Sequence, residues 1–112
     1  MGNTVVLKPS ELTPLSALAL AGIADEAGLP PGALNVVCGD APVIGEVLLE
    51  HEAVRLITFT GSARTGRHLM SEAGRRMKRV AMELGGNAPF VVFADADLEQ
   101  AADDLVALKC TN

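Results

Sequence analysis

Short apolar runs alternate with amphipathic stretches along this chain, and turn or helix-start residues stand at the boundaries. Thr4 to Leu7 forms the first apolar run, ended by Lys8 and Pro9. Thr13-Pro14 predicts a helix start, Leu12, Leu15, Leu18, Ala19 and Ile23 recur at helical spacing, and Gly28 with Leu29-Pro30-Pro31 is the stop. Leu34 to Val37 is the second strand, ending at Gly39, and Pro42 opens a helix whose inward stripe is Val43, Ile44, Val47 and Leu48. Val54 to Thr60 is a third strand, and Ser62 to Ala73 a third helix with Gly74 as its stop. Two short strands, Val80 to Glu83 and Phe90 to Phe93, flank a glycine-rich turn, and Asp97 caps a closing helix carrying Leu98, Ala101, Ala102, Leu105 and Leu108.

Strands alternating with helices over short connections predict βαβ units, hence an open, mostly parallel twisted α/β sheet with helices on both faces. Ligands of such sheets bind beyond the carboxyl ends of the strands. Lys8, Gly39, Gly61-Ser62 and Glu83 each follow a strand's last apolar residues, so all are expected on one edge of one sheet.

The 112 residues allow one domain at most, large enough to bury roughly two thirds of the unfolded surface in a single core. At 49% hydrophobic and 21% charged, the composition is that of a folding chain. Three Phe and no Trp or Tyr leave no stacking platform for bases, and a net charge of -5 opposes a nucleic-acid partner. The one basic cluster, Arg75-Arg76-Met77-Lys78-Arg79, reads as a solvated turn. No apolar stretch reaches the roughly 20 residues that span a bilayer, and no signal peptide is visible, so neither a membrane nor export is expected. Cys38 and Cys110 are too few for a disulfide framework, which fits a reducing, cytoplasmic setting. Cys38 is expected in the core, Cys110 as a small apolar residue of the last helix, and Met70, Met77 and Met82 as core filler. His51 and His68 are expected on the surface, with no metal geometry.

Three segments carry candidate chemistry. Gly61-Ser62 stands where the third helix begins, so first-turn amides and a helix-end charge of roughly +0.5 suit a phosphate. The plainer reading makes Ser62 an N-cap and Gly61 a turn residue. Lys8-Pro9-Ser10-Glu11 sets an ammonium and a carboxylate at the ligand edge, suited to an adenosine ribose whose 2'-hydroxyl Glu11 accepts from, or equally a solvated pair at a helix start. A 2'-phosphate would meet that negative charge, which favours NAD over NADP. Glu83, at the end of Val80-Ala81-Met82 and before Leu84-Gly85-Gly86, is the candidate general base, since partial desolvation at a strand end would raise its pKa. Its alternative is a strand-end acid paired with an arginine. No Gly-x-Gly-x-x-Gly fingerprint occurs, so the phosphate grip differs from that of the ordinary dinucleotide fold.

Lys8-Pro9-Ser10-Glu11, Phe59-Thr60-Gly61-Ser62 with Gly66, and Glu83-Leu84-Gly85-Gly86 together resemble the coenzyme-binding half of NAD(P)-dependent aldehyde dehydrogenases, over essentially the whole chain. Leu84 to Phe90 followed by Asp95-Ala96-Asp97-Leu98 is similar to the succinate-semialdehyde dehydrogenase branch. The resemblance implies an incomplete Rossmann-like fold, with residues 1–112 a partial dinucleotide-binding domain and no second domain. It implies that Lys8 and Glu11 contact the adenosine ribose, Pro9 and Ser10 line the same turn, Gly61 and Ser62 hold the pyrophosphate, Leu84 lies by the nicotinamide, and Glu83 is the general base.

In that family a cysteine thiolate attacks the aldehyde, hydride passes to the nicotinamide, and the base activates water to hydrolyse the thioester. The nucleophile's motif is expected just past Asn112, so this chain alone is expected to be inactive. The alternative is a free-standing, non-catalytic nucleotide-binding or assembly module. Uncovered sheet edges predict self-association.

Overall fold

Four helices and four strands alternate in the computed structural model, which describes residues 2–110. In chain order they are β1 (Val5–Leu7), α1 (Leu15–Glu26), β2 (Leu34–Val36), α2 (Ala41–Glu50), β3 (Leu56–Gly61), α3 (Ala63–Arg75), β4 (Arg79–Leu84) and α4 (Leu98–Lys109). Both strand pairings, β1 with β2 and β3 with β4, are parallel. The α/β, parallel expectation therefore holds. Helix α1 lies against β2, α3 against β3 and β4, and α2 alongside α3.

Local chemistry accounts for the boundaries. Asp40, Ser62 and Asp97 cap α2, α3 and α4 by accepting from the amides of Val43, Thr65, and Glu99 with Gln100. Helix α1 lacks a side-chain cap, and Pro14 occupies its N-cap position. Its far end closes as a Schellman motif: Leu29 N–H donates to Ala24 O at 3.0 Å and Gly28 N–H to Asp25 O at 2.9 Å, with Gly28 at φ +84°.

Helix α3 closes in the same way one turn later than expected. Gly74 stays inside the helix, while Met77 N–H donates to Gly74 O at 3.1 Å and Lys78 N–H to Ala73 O at 2.9 Å. Met77 takes the left-handed conformation, φ 54°, and is 93% exposed, so it is not core filler.

Three further expectations are corrected. The strands form two separate two-stranded ladders, with no pairing of β1 or β2 to β3 or β4 among the described residues. Residues 90–93 join neither ladder; they run outside any strand, with Val91, Val92 and Phe93 exposed. Nor is there a single core. The chain exposes 8965 Å², against about 5,800 Å² for a compact monomer of this mass, and its radius of gyration is 19.0 Å where about 13 Å is usual. Leu49 and Ala73 are the buried apolar side chains among the described residues, and Leu12, Leu15, Ile23, Val43 and Leu98 all stand in solvent.

Candidate functional site

The β3–β4 ladder brings four of the expected residues together. Its register pairs Thr60 with Glu83 and Gly61 with Leu84, and Gly85 N–H donates to Gly61 O at 3.2 Å. Helix α3 starts from this edge, so the carboxylate of Glu83 and the N-terminus of α3 share the carboxyl end of one sheet. Ser62 is the helix N-cap: its Oγ accepts from Thr65 N at 3.2 Å and donates to Thr65 Oγ1 at 3.0 Å. The first amides of an α-helix have no intrahelical acceptor, which leaves those of Ala63 and Arg64 for an anion. At Gly61 a Cβ would come within 2.5 Å of the Phe59 ring, so a larger residue in that turn would displace the ring. The N-cap reading of Ser62 is thus the one its hydrogen bonds bear out.

Glu83 is exposed, and no ion pair among the described residues involves it. The desolvation expected at a strand end is absent because nothing in these residues covers that edge. Leu84 is half-buried beneath α3, where it meets Gly66.

The β1–β2 ladder forms a second edge. Leu7 pairs with Val36, and Val37 N–H donates to Leu7 O at 3.0 Å, so the segments leaving the two strands run side by side. Lys8 Nζ bridges Glu11 Oε1 at 2.8 Å and donates to Pro9 O at 2.7 Å. The Lys8 hydrogen bond, with help from the amides of Glu11 and Ala41, holds the exposed Glu11 carboxyl below the usual glutamate range. Ser10 turns the chain, its Oγ accepting from Leu12 N at 3.3 Å. Since the ladders are not hydrogen-bonded to each other, the eight expected site residues fall on two strand-end edges and not on one.

Reasoning from sequence passed over Asp40 and misread Lys78. Asp40 stands immediately before Ala41-Pro42, a capping signature that identifies its side chain as part of the β1–β2 edge. Lys78 belongs to the basic cluster expected to be solvated, yet its Nζ donates to the carbonyls of His51 at 2.6 Å, Val54 at 2.9 Å and Leu48 at 3.3 Å. Arg75 and Arg76 both pair with Glu72, at 2.9 and 2.7 Å. Cys38 and Cys110 are free and exposed, against the core position expected for Cys38, and Cys110 lies at the C-cap of α4. His51 and His68 are on the surface, His68 at 3.4 Å from Glu46. No helix among the described residues is long and apolar enough to cross a membrane.

A family profile described as the aldehyde dehydrogenase family matches residues 1–112. The chain is 59% identical over 111 residues to the mitochondrial succinate-semialdehyde dehydrogenase of Arabidopsis thaliana, covering 99% of this chain and 21% of that protein. It is 50% identical over 111 residues to the NADP(+) succinate-semialdehyde dehydrogenase GabD of Escherichia coli, covering 99% and 23%. A crystal structure of an NAD-dependent aldehyde dehydrogenase from Sinorhizobium meliloti superposes with a TM-score of 0.88 at 51% identity, covering 92% of this chain and 20% of that one. The chain thus spans about a fifth of the length of the proteins it matches.

Proposed function

This chain belongs to the aldehyde dehydrogenase family, and from that premise we propose that residues 1–112 are part of the dinucleotide-binding domain of an enzyme that oxidises an aldehyde to a carboxylic acid. The piece supplies coenzyme contacts and the general base, and not the nucleophilic cysteine. The observation that carries this reading is the register of β3 and β4, which sets Glu83 beside Thr60 and one residue from the Gly61-Ser62 turn.

The residues present fit a dinucleotide. Gly61 leaves the backbone open where a Cβ would collide with Phe59, and the first amides of α3 face the same edge. Gly61 and Ser62 hold the pyrophosphate, Leu84 lies by the nicotinamide, and Lys8, Pro9, Ser10 and Glu11 form the ribose turn. When bound, the coenzyme supplies the hydride acceptor. Glu83 takes the proton from the water that completes the reaction, its place in the ladder being one residue from the Gly61-Ser62 turn. We favour NAD over NADP because Glu11 remains ionised at the ribose turn, although relatives named for each coenzyme exist.

The relatives' names suggest succinate semialdehyde or a similar short carboxylated aldehyde as the substrate of a full-length enzyme. Two free cysteines suit a reducing, cytoplasmic compartment. The excess of exposed apolar surface favours a piece that other elements cover over a free-standing module, and it favours self-association of the isolated chain. Light scattering at rising concentration should show association beyond a monomer; a strictly monomeric chain would count against that part.

Calorimetric titration of the chain with NAD is the test of the whole. Binding that is weakened by both Ser62→Ala and Glu11→Gln supports the assignment. Wild-type affinity in both variants would remove the coenzyme roles, and steady NAD-dependent aldehyde turnover by the 112-residue chain would refute its dependence on further segments.

A further inference from the structure

Met77 projects an apolar side chain into solvent, 93% exposed, from a backbone held in the left-handed region at φ 54°. Strain of this kind, with no contact in the fold to offset it, points to a use outside the fold. The surroundings are basic, since four of the five residues 75–79 are Arg or Lys. Arg75 and Arg76 pair with Glu72, and Lys78 is engaged with carbonyls. No ion pair among the described residues involves Arg79.

A groove of about 240 Å³ runs between residues 90–92 and the first turns of α4. Phe90, Val91, Val92 and Ala101 supply its apolar wall, and Asp97 and Asp104 its acidic rim. Residues 80–108 contain no Lys or Arg, while Asp95, Asp97, Glu99, Asp103 and Asp104 all fall in that stretch. Val91 and Val92 are exposed, and residues 90–93 join neither ladder.

We propose that Met77 of one copy of this chain seats in the groove between residues 90 and 104 of a second copy, with Arg79 facing the rim of Asp97 and Asp104. The inference rests on the self-association reading above and gives it two surfaces. An apolar knob among cations fits an apolar groove among acids, whereas two knobs repel and so do two grooves. The contact is therefore heterologous. Knob and groove share no residue, so each copy can use both, and growth continues past the dimer. Methionine suits the knob because its unbranched side chain adapts to an irregular gap.

Association constants are measured by sedimentation equilibrium for the wild-type chain, Met77→Gly, Arg79→Glu and Asp104→Arg, with urea midpoints taken at low protein concentration. Met77→Gly should weaken association about tenfold while raising the urea midpoint, a pair of changes that loss of folding cannot produce. Arg79→Glu and Asp104→Arg should each weaken it about tenfold at low salt. An equimolar mixture of those two should recover association, because each offers the other an opposite charge. Raising ionic strength from about 0.05 to 0.5 M should weaken wild-type association. If the wild type associates and the variants match it, these surfaces do not meet and self-association uses another face. The same conclusion follows if the mixture stays as weak as either charge variant alone. If the wild type is monomeric at every concentration, the self-association reading fails and this inference falls with it, while the dinucleotide reading is untouched.

Discussion

Gly66 of α3 lies so close to Leu84 at the end of β4 that a Cβ at position 66 would stand 2.5 Å from Leu84 Cδ2 and 2.8 Å from Cδ1. Helix and strand therefore meet backbone to side chain, and the side chain held there is the one proposed to lie by the nicotinamide. Gly66→Ala gains about 1 kcal/mol of helix propensity but forces Leu84 from its place, with an overpacking cost of about 1–3 kcal/mol. Urea unfolding should show a net loss, and, on the proposed coenzyme contact of Leu84, NAD affinity should fall further than stability does. Gly66→Ala with unchanged NAD affinity would separate Leu84 from the coenzyme.

Met77 occupies the left-handed position that glycine usually takes in a Schellman motif, φ 54°, while 93% exposed. An L-residue in that conformation costs about 1–2 kcal/mol, and little packing offsets it. Met77→Gly should therefore stabilise the chain by about 1 kcal/mol, read as a higher urea midpoint with an unchanged slope. A loss of stability would mean that the Met77 side chain makes a contact that matters more than its backbone strain.

Lys78 joins the end of α2 to the stretch leading into β3 through three carbonyls, those of Leu48, His51 and Val54. Its ammonium also lies where the α2 dipole favours a cation. Lys78→Met keeps the aliphatic stem and removes the charge, leaving partly buried carbonyls without their donor. A loss of about 2 kcal/mol is expected, with amide exchange rising first in residues 47–54. Uniform exchange across the chain would show that the contact is not local in its effect.

Glu11 and Glu72 both titrate below the usual glutamate range, Glu11 through its hydrogen bond from Lys8 and Glu72 through that from Arg76. A carboxyl depressed in the folded state contributes stability that is complete above the ordinary glutamate pKa and is lost as pH falls through the depressed value. The urea midpoint should decline as pH falls below the ordinary glutamate pKa and through the depressed values of the two carboxyls. Carboxyl NMR titration should place both midpoints below that of an unstructured peptide, and Arg76→Leu should return Glu72 upward while Glu11 stays put.

Apolar period and punctuation were enough to place all four helices, four strands and the parallel sense of their pairing, because these depend on side chains a few positions apart. Asp97 and Ser62 announced their caps, and the strand ends announced Glu83 and Lys8 as edge residues. Which strands hydrogen-bond to one another depends on contacts between segments far apart in the chain, and the fold alone revealed two ladders where one sheet was expected. The same holds for Phe90 to Phe93, whose strand-like composition pairs with no strand among the described residues, and for Lys78, whose three acceptors lie 24 to 30 residues away. Met77 adopts a glycine's conformation because the exit from α3 into β4 demands it, a constraint of chain path that no local preference encodes. Hydrophobic pattern says which faces seek burial; only the assembled backbone shows which of them are covered.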